Sequence, residues 1–300
     1  MTQTDRIATA TTAAPGTVPQ AWQGVAGAGW LRRLLIGLAL LLSAMFLVLP
    51  LAVIFAQAFA AGIGGWASNI IAPDTLHAIW LTILTAIVVV PVNIGFGIAA
   101  AWAIAKFTFP GRKLLMTVIE LPFSISPVVA GVAYLFVYGA QGLLGPTLEE
   151  AGVQVMFTIP AIFLVSLFVT SPFVARELVP LMQAQGTDEE EAAITLGASG
   201  IKTFLRVTLP NIKWALLYGA ILCNARVMGE FGAVSVVSGN IRGQTNTLPL
   251  QVELLYNDYN AIGAFAAAST LTVLALVTIF AKVIVERRAE GAIRRRGGGH

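Results

Sequence analysis

The sequence predicts an all-α polytopic membrane protein with about six transmembrane helices, and three observations predict it. Of the 300 residues, 57% are hydrophobic and only 11% charged, with a mean hydropathy of +0.82; a soluble domain carries roughly a quarter charged residues. Six apolar runs are each long enough to cross a hydrocarbon core of ~30 Å. Lys and Arg gather on one side of the resulting six-span path.

Taken in order, residues 1–29 are rich in Ala, Thr, Gly and Pro without periodicity and read as a flexible tail. Residues 30–72 hold the first span and an outer loop. Arg32 and Arg33 precede an apolar run from Leu34 to about Phe59. Ala58-Phe59-Ala60 resembles a signal cleavage site, but the run is about twice the usual secretory h-region, so it reads as an uncleaved span. Residues 73–288 carry the other runs, at about His77–Ala105, Leu114–Tyr138, Val155–Met182, Ile212–Val237 and Ile262–Val285. Glu120, Pro122 and Pro127 interrupt the third span, and Pro160, Ser171 and Pro172 the fourth. Broken helices are tolerated where they face protein or a water-filled path. Residues 289–300 form a basic tail in which Arg294, Arg295 and Arg296 are solvated or lipid-facing.

Orientation follows from the cations. Arg32 and Arg33; Lys106, Arg112 and Lys113; Arg176, Lys202, Arg206 and Lys213; and Lys282, Arg287, Arg288 and the terminal arginines fall on one side, whereas the opposite loops hold only Arg242. That asymmetry puts both termini and the loop at 186–211 in the cytoplasm.

The segment Asp188–Pro210 is the longest strongly polar stretch within the apolar part of the chain. Thr187 or Asp188 suits an N-cap, and Glu189, Glu190 and Glu191 fill a first turn where the helix dipole favours acids. Ala192, Ala193, Ile194 and Leu196 continue a helix that Gly197 ends or bends. Ile201, Phe204, Leu205 and Val207 then form an apolar stripe on a second short helix closed by Pro210. Two readings are open: a docking element for a soluble partner, or an amphipathic loop lying on lipid.

Catalytic chemistry has little to work with. Cys223 is the single cysteine and His77 and His300 are far apart, so no metal-ligand spacing is present. Gly197-Ala-Ser-Gly-Ile-Lys-Thr is no phosphate loop, because Lys202 does not follow the second glycine directly and no strand precedes it. Any energy coupling therefore belongs to another subunit. Within the fifth span Arg226 and Glu230 stand four apart on one helical face, close enough to pair. A structural ion pair is favoured over a positive charge offered to an anion in transit. Gly229 and Gly232 allow close helix approach. Glu120 suits an interfacial salt bridge with Arg112 or Lys113. Ser124 and Ser126 either line a path with hydroxyls or pack onto helix backbone. Trp30, Trp66, Trp80 and Trp214 read as interface anchors.

The loop fits, position by position, the E-A-A, three residues, G, nine residues, I or V, x, L-P signature, through Glu191, Ala192, Ala193, Gly197, Val207, Leu209 and Pro210. In this it resembles ABC importer permeases, whose corresponding loop seats in a cleft of the ATP-hydrolysing subunit. Further along, Gly229-Glu-Phe-Gly-Ala-Val-Ser-Val-Val-Ser-Gly239, Ile241-Arg-Gly-Gln-Thr, Thr247-Leu-Pro-Leu-Gln-Val-Glu-Leu-Leu and Asp258-Tyr-Asn resemble the sulfate/thiosulfate importer permeases of CysW type, over roughly His77 to Arg288. Molybdate permeases look similar around Gly-Glu-Phe-Gly and Thr-Leu-Pro-Leu. The resemblance implies the type I importer permease (MetI-like) fold and a non-catalytic membrane subunit. It also implies a complex with two copies of an ATPase, a second CysT-type permease and an extracytoplasmic sulfate-binding protein. No cofactor is then expected on this chain, with ATP and Mg used by the ATPase, and no nucleic acid is involved. Residues 186–211 become the coupling loop, with Glu190 joining the signature residues, and Arg226, Glu230, Ser124 and Ser126 become candidates for the translocation path. A secondary transporter lacks visible inverted repeats and coupling-ion residues. A membrane anchor that recruits a soluble protein without moving solute is the remaining alternative.

Overall fold

The computed structural model describes residues 29–297, with side chains described through 280 and at 283 and 284. Residues 1–28 of the predicted tail lie outside the described residues, as do the side chains of Lys282 and the arginines that follow. The chain divides between Val53 and Ile54 into two units.

The first unit carries most of α1 (Gly29–Ala58), the most apolar of the long helices, with a mean hydropathy of 2.8. At Ala44–Val48 it widens into a π-turn, where the Leu49 N–H donates to the Ala44 carbonyl, five residues back. Pro50 follows. A proline has no N–H and its ring crowds the carbonyl four residues earlier, and a π-turn is one way a helix absorbs that.

The second unit's described residues form the helices α2 (Gly62–Ile71), α3 (Pro73–Lys106), α4 (Arg112–Ser124), α5 (Pro127–Tyr138), α6 (Gly145–Glu150), α7 (Ile159–Gln185), α8 (Asp188–Thr195), α9 (Gly200–Met228), α10 (Gly232–Ser238), α11 (Leu248–Asn257) and α12 (Ala261–Gly297), joined by turns and short irregular segments. Helices α1, α3, α7 and α12 are long and apolar enough to span, and the bent pairs α4/α5 (109°) and α9/α10 (52°) bring the number to six. The six predicted runs are thus all helical, but the interruptions differ from expectation. The third span is broken, at Ile125 and Ser126. The fourth continues through Ser171, and the fifth breaks instead. Pro172 leaves the Phe168 carbonyl without its helical donor, and the Ser171 hydroxyl donates to that oxygen at 2.9 Å, so the helix runs on. Helix α12 continues through residues 289–297, into the basic tail; Arg, Ala and Glu there are good helix formers.

Helices α3, α7 and α9 pack on one another at the centre of this unit. Val89, Ala101, Val174, Leu178, Met182, Ile212 and Val227 fill the contact. Gly97 makes the α3–α7 approach possible, because a Cβ there would lie 2.6 Å from the Val174 Cβ. A polar tie crosses the same three helices. Asn93 donates to the Thr170 hydroxyl at 2.7 Å, Thr170 donates to the Ser166 carbonyl at 2.6 Å, and the Cys223 sulfur lies 3.7 Å from the Asn93 amide nitrogen. A second core, with Leu81, Ala130, Ile162, Val165, Val234, Val237 and Leu250, joins α3, α5, α10, α11 and the first half of α7.

Candidate functional site

The loop between α7 and α9 is held by its three consecutive glutamates. Thr187 is the N-cap of α8 and its hydroxyl donates to Glu191 Oε1 at 2.7 Å. Glu190 reaches the end of α3, where Lys106 Nζ lies 2.9 Å from Oε1 and 3.1 Å from Oε2, and it also accepts from the Thr208 hydroxyl at 3.1 Å. Lys106 donates further to the Gly186 carbonyl, and Asn211 donates to Glu189. The acids therefore complement the α8 dipole, as expected, and two of them also brace the loop against α3 and α9. Lys106, Thr208 and Asn211 were not legible as loop partners. In the sequence Lys106 is one more cation at a span end, and only the fold brings residues 84 positions apart together.

Gly197 ends α8 at φ +85°, and the Ala198 N–H donates to the Ala193 carbonyl at 3.0 Å, closing the turn. The predicted second helix is not closed by Pro210. It passes through a π-turn at Phe204–Thr208, where the Leu209 N–H donates to the Phe204 carbonyl, and continues to Met228 as α9. The device is the one seen before Pro50, and it again precedes a Leu-Pro pair. Val207 lies half-buried within the π-turn. The expected apolar stripe divides: Phe204 packs on Trp102 with ring centroids 5.1 Å apart, while Ile201 and Leu205 face outward. With Ile194 and Leu196 they form an exposed apolar edge, Leu196 being 88% and Ile201 77% exposed. Ala192 is exposed beside them and Ala193 half-buried.

Arg226 and Glu230 do pair, at 2.7 Å, but not on one helix. Helix α9 ends at Met228, so Glu230 lies in the break, buried to 2% exposure. Its Oε1 accepts the Ala233 N–H at 3.0 Å and so caps α10. The break abuts that of the third span. A Cβ on Gly232 would lie 3.2 Å from Pro127 Cβ and 3.3 Å from Val128 Cγ2. Gly229 meets no other helix, so only one of the two predicted contact glycines serves that purpose. Ser124 and Ser126 flank the α4/α5 break and are exposed.

Glu120 forms no ion pair among the described residues. Helix α4 starts at Arg112, which sets Glu120 about 12 Å further along the axis. It lines instead a cleft of about 280 Å³ with Met116, Ile119, Pro172, Arg176 and Gln183. Trp66 is more than an interface anchor, since its indole N–H donates to Ser269 of α12 at 3.0 Å. No cluster of His, Cys, Asp and Glu suited to a metal occurs among the described residues.

Residues 93–291 match the family described as binding-protein-dependent transport system inner membrane component. The chain is 55% identical over 266 residues to the sulfate transport system permease protein CysW of Escherichia coli K12, covering 89% of this chain and 91% of that protein. It is 32% identical over 245 residues to the sulfate transport system permease protein CysT of Salmonella typhimurium LT2, covering 82% and 88%. A solved bacterial ABC transporter involved in the import of the acidic polysaccharide alginate superposes with a TM-score of 0.74 at 18% identity, over 89% of this chain and 98% of that one, which establishes the shared fold. The chain belongs to the binding-protein-dependent transport system inner membrane component family, and within it groups with the CysW permeases.

Proposed function

We propose that the chain is a permease subunit of an ATP-driven importer for sulfate or thiosulfate, working beside a CysT-type permease, two copies of an ATPase and an extracytoplasmic binding protein. The cargo reading rests on the 55% identity to the CysW protein. The single observation that carries the mechanism is the α8–α9 loop, latched by Glu189 and Glu190 to the spans behind it and exposing Ile194, Leu196, Ile201 and Leu205. An apolar edge on a braced helical loop suits a groove on a soluble partner better than a lipid surface, because the bracing transmits displacement. The positive-side bias of the sequence supports a cytoplasmic position for this loop and both termini, on the side where ATP is found.

In this reading the chain binds no cofactor and hydrolyses nothing; ATP and Mg²⁺ are used by the ATPase. A divalent anion cannot enter hydrocarbon at tolerable cost, so a polar path must form. The adjoining breaks at Ile125–Ser126 and Gly229–Phe231, with Ser124, Ser126, Arg226 and Glu230, supply exposed hydroxyls and a charged pair for it. ATP binding moves the loop and turns the path outward, and hydrolysis resets it.

Proteoliposomes containing the assembled four-component complex test this. Uptake of labelled sulfate that needs both ATP and the binding protein is expected. Gradient-driven uptake without ATP, or ATPase binding without uptake, would replace the importer with a secondary transporter or an anchor. Uptake of molybdate in preference to sulfate would move the cargo to the other oxyanion class.

A further inference from the structure

We propose that Arg176, rather than Arg226, is the cationic side chain that meets the anion within the membrane; this rests on the importer reading above. Both arginines lie on spanning helices, but only one has charge to offer. Arg226 is neutralised by Glu230 at 2.7 Å. Arg176 forms no ion pair among the described residues, and its side chain is exposed. The sequence groups it with the loop cations, but it stands nine residues before the end of α7 at Gln185, about 13 Å inside the helix terminus and so within the span. An ionised group at such a depth is expensive in hydrocarbon, and such residues face water, protein or a solute path.

The surroundings are built to hold a guanidinium. Its carbon sits 5.2 Å from the centroid of the Phe123 ring, and Phe123 is itself held against Phe173 at 5.0 Å. The cleft that Arg176 lines lies between α3, α4 and the second half of α7, with Ile104, Met116 and Glu120 facing Pro172 and Gln183, and Phe123 stands three residues beyond Glu120 near the end of α4. A planar fork of N–H donors matches two oxygens of a tetrahedral oxyanion. Glu120 of α4, which lines the same cleft, forms no ion pair among the described residues and would repel a divalent anion. One attractive and one repulsive group together suit brief occupancy, because a transit site must release what it admits. The cargo class recognised is thus a small tetrahedral dianion.

The test uses the assembled complex in proteoliposomes with its binding protein and ATP. Arg176→Gln is expected to lower sulfate uptake at least about tenfold, the effect of losing one charge-assisted hydrogen bond, while Arg176→Lys keeps most of it. A second measurement does not depend on uptake. Cys223 is the single cysteine and is buried, so Gln183→Cys, on the cleft that Arg176 lines, combined with Cys223→Ser leaves one thiol in this chain beside an intact Arg176. A membrane-impermeant anionic thiol reagent should label it, more slowly when sulfate is present. Wild-type uptake by Arg176→Gln, or no labelling of the cysteine, would overturn the assignment. Labelling that sulfate leaves unchanged would do the same and point to an anionic lipid headgroup. If the wild-type complex takes up no oxyanion, the importer reading itself fails.

Discussion

Lys106 at the end of α3 and Glu190 in the first turn of α8 meet at 2.9 Å, with side chains only 7% and 17% exposed, although 84 residues separate them. The contact joins the loop to the second span directly, and through Thr208 the same carboxylate joins it to the start of α9. A pair this well shielded is worth more than a surface salt bridge, chiefly because removing one partner strands the other.

Glu190→Ala is therefore expected to lower the thermal stability of the complex by about 1–3 kcal/mol and to weaken ATP-driven uptake. Glu190→Gln, which still accepts from Thr208, should cost less. The charge swap Lys106→Glu with Glu190→Lys should recover part of the loss. Detergent-solubilised melting curves alongside uptake assays separate these outcomes; equal stability of all variants would show the latch to be idle.

Gly197 holds φ +85° with open space around the position of a Cβ, so only backbone strain penalises substitution there. Gly197→Ala should cost about 1 kcal/mol and Gly197→Asn less, because Asn tolerates the left-handed region. Gly197→Pro, whose φ is fixed near −65°, should uncouple hydrolysis from uptake while insertion persists. The ratio of sulfate transported to ATP hydrolysed is the readout.

The outward apolar edge yields a binding prediction. Leu196→Asp and Ile201→Asp change no buried contact, so the permease should still insert and fold. Co-purification of the ATPase should fall at least tenfold, in line with a central apolar anchor worth about 2 kcal/mol or more. Undiminished capture of the ATPase by the double variant would return this loop to the lipid surface.

For the hinge, geometry sharpens the choice between packing and transit. Arg226→Met leaves the buried Glu230 carboxylate without its cation, which costs about 3–5 kcal/mol, so loss of the folded complex is expected. Pairing it with Glu230→Gln should restore assembly, since Gln offers Ala233 an acceptor without a charge. Survival of the single variant with only uptake impaired would favour transit. Size-exclusion profiles of the two variants decide the matter.

Much of this molecule was legible because its signals are local. The apolar runs marked the spans, the Thr187–Glu191 turn marked the start of α8, and Gly197 marked its end. What could not be read depends on compensation by neighbours. Pro172 looked like a break, yet the Ser171 hydroxyl repairs the ladder. Pro210 looked like a terminus, yet a π-turn carries the helix past it. The real break, after Met228, has no proline; Glu230 lies within it and accepts the Ala233 N–H at the start of α10. The Glu189 and Glu190 latches were hidden for a different reason, since their partners on α3 and α9 are distant in sequence.

The uninterrupted course of α9 has a mechanical corollary. Because helical hydrogen bonding carries on from Gly200 to Met228 through the π-turn at Phe204–Thr208, the rod is about 43 Å long at 1.5 Å per residue. In the proposed importer, a tilt of about 5° imposed at its inner tip would carry the Arg226 end sideways by about 3–4 Å, on the order of the width of a water molecule. A lever of that length can work a narrow passage without any piece of it unfolding.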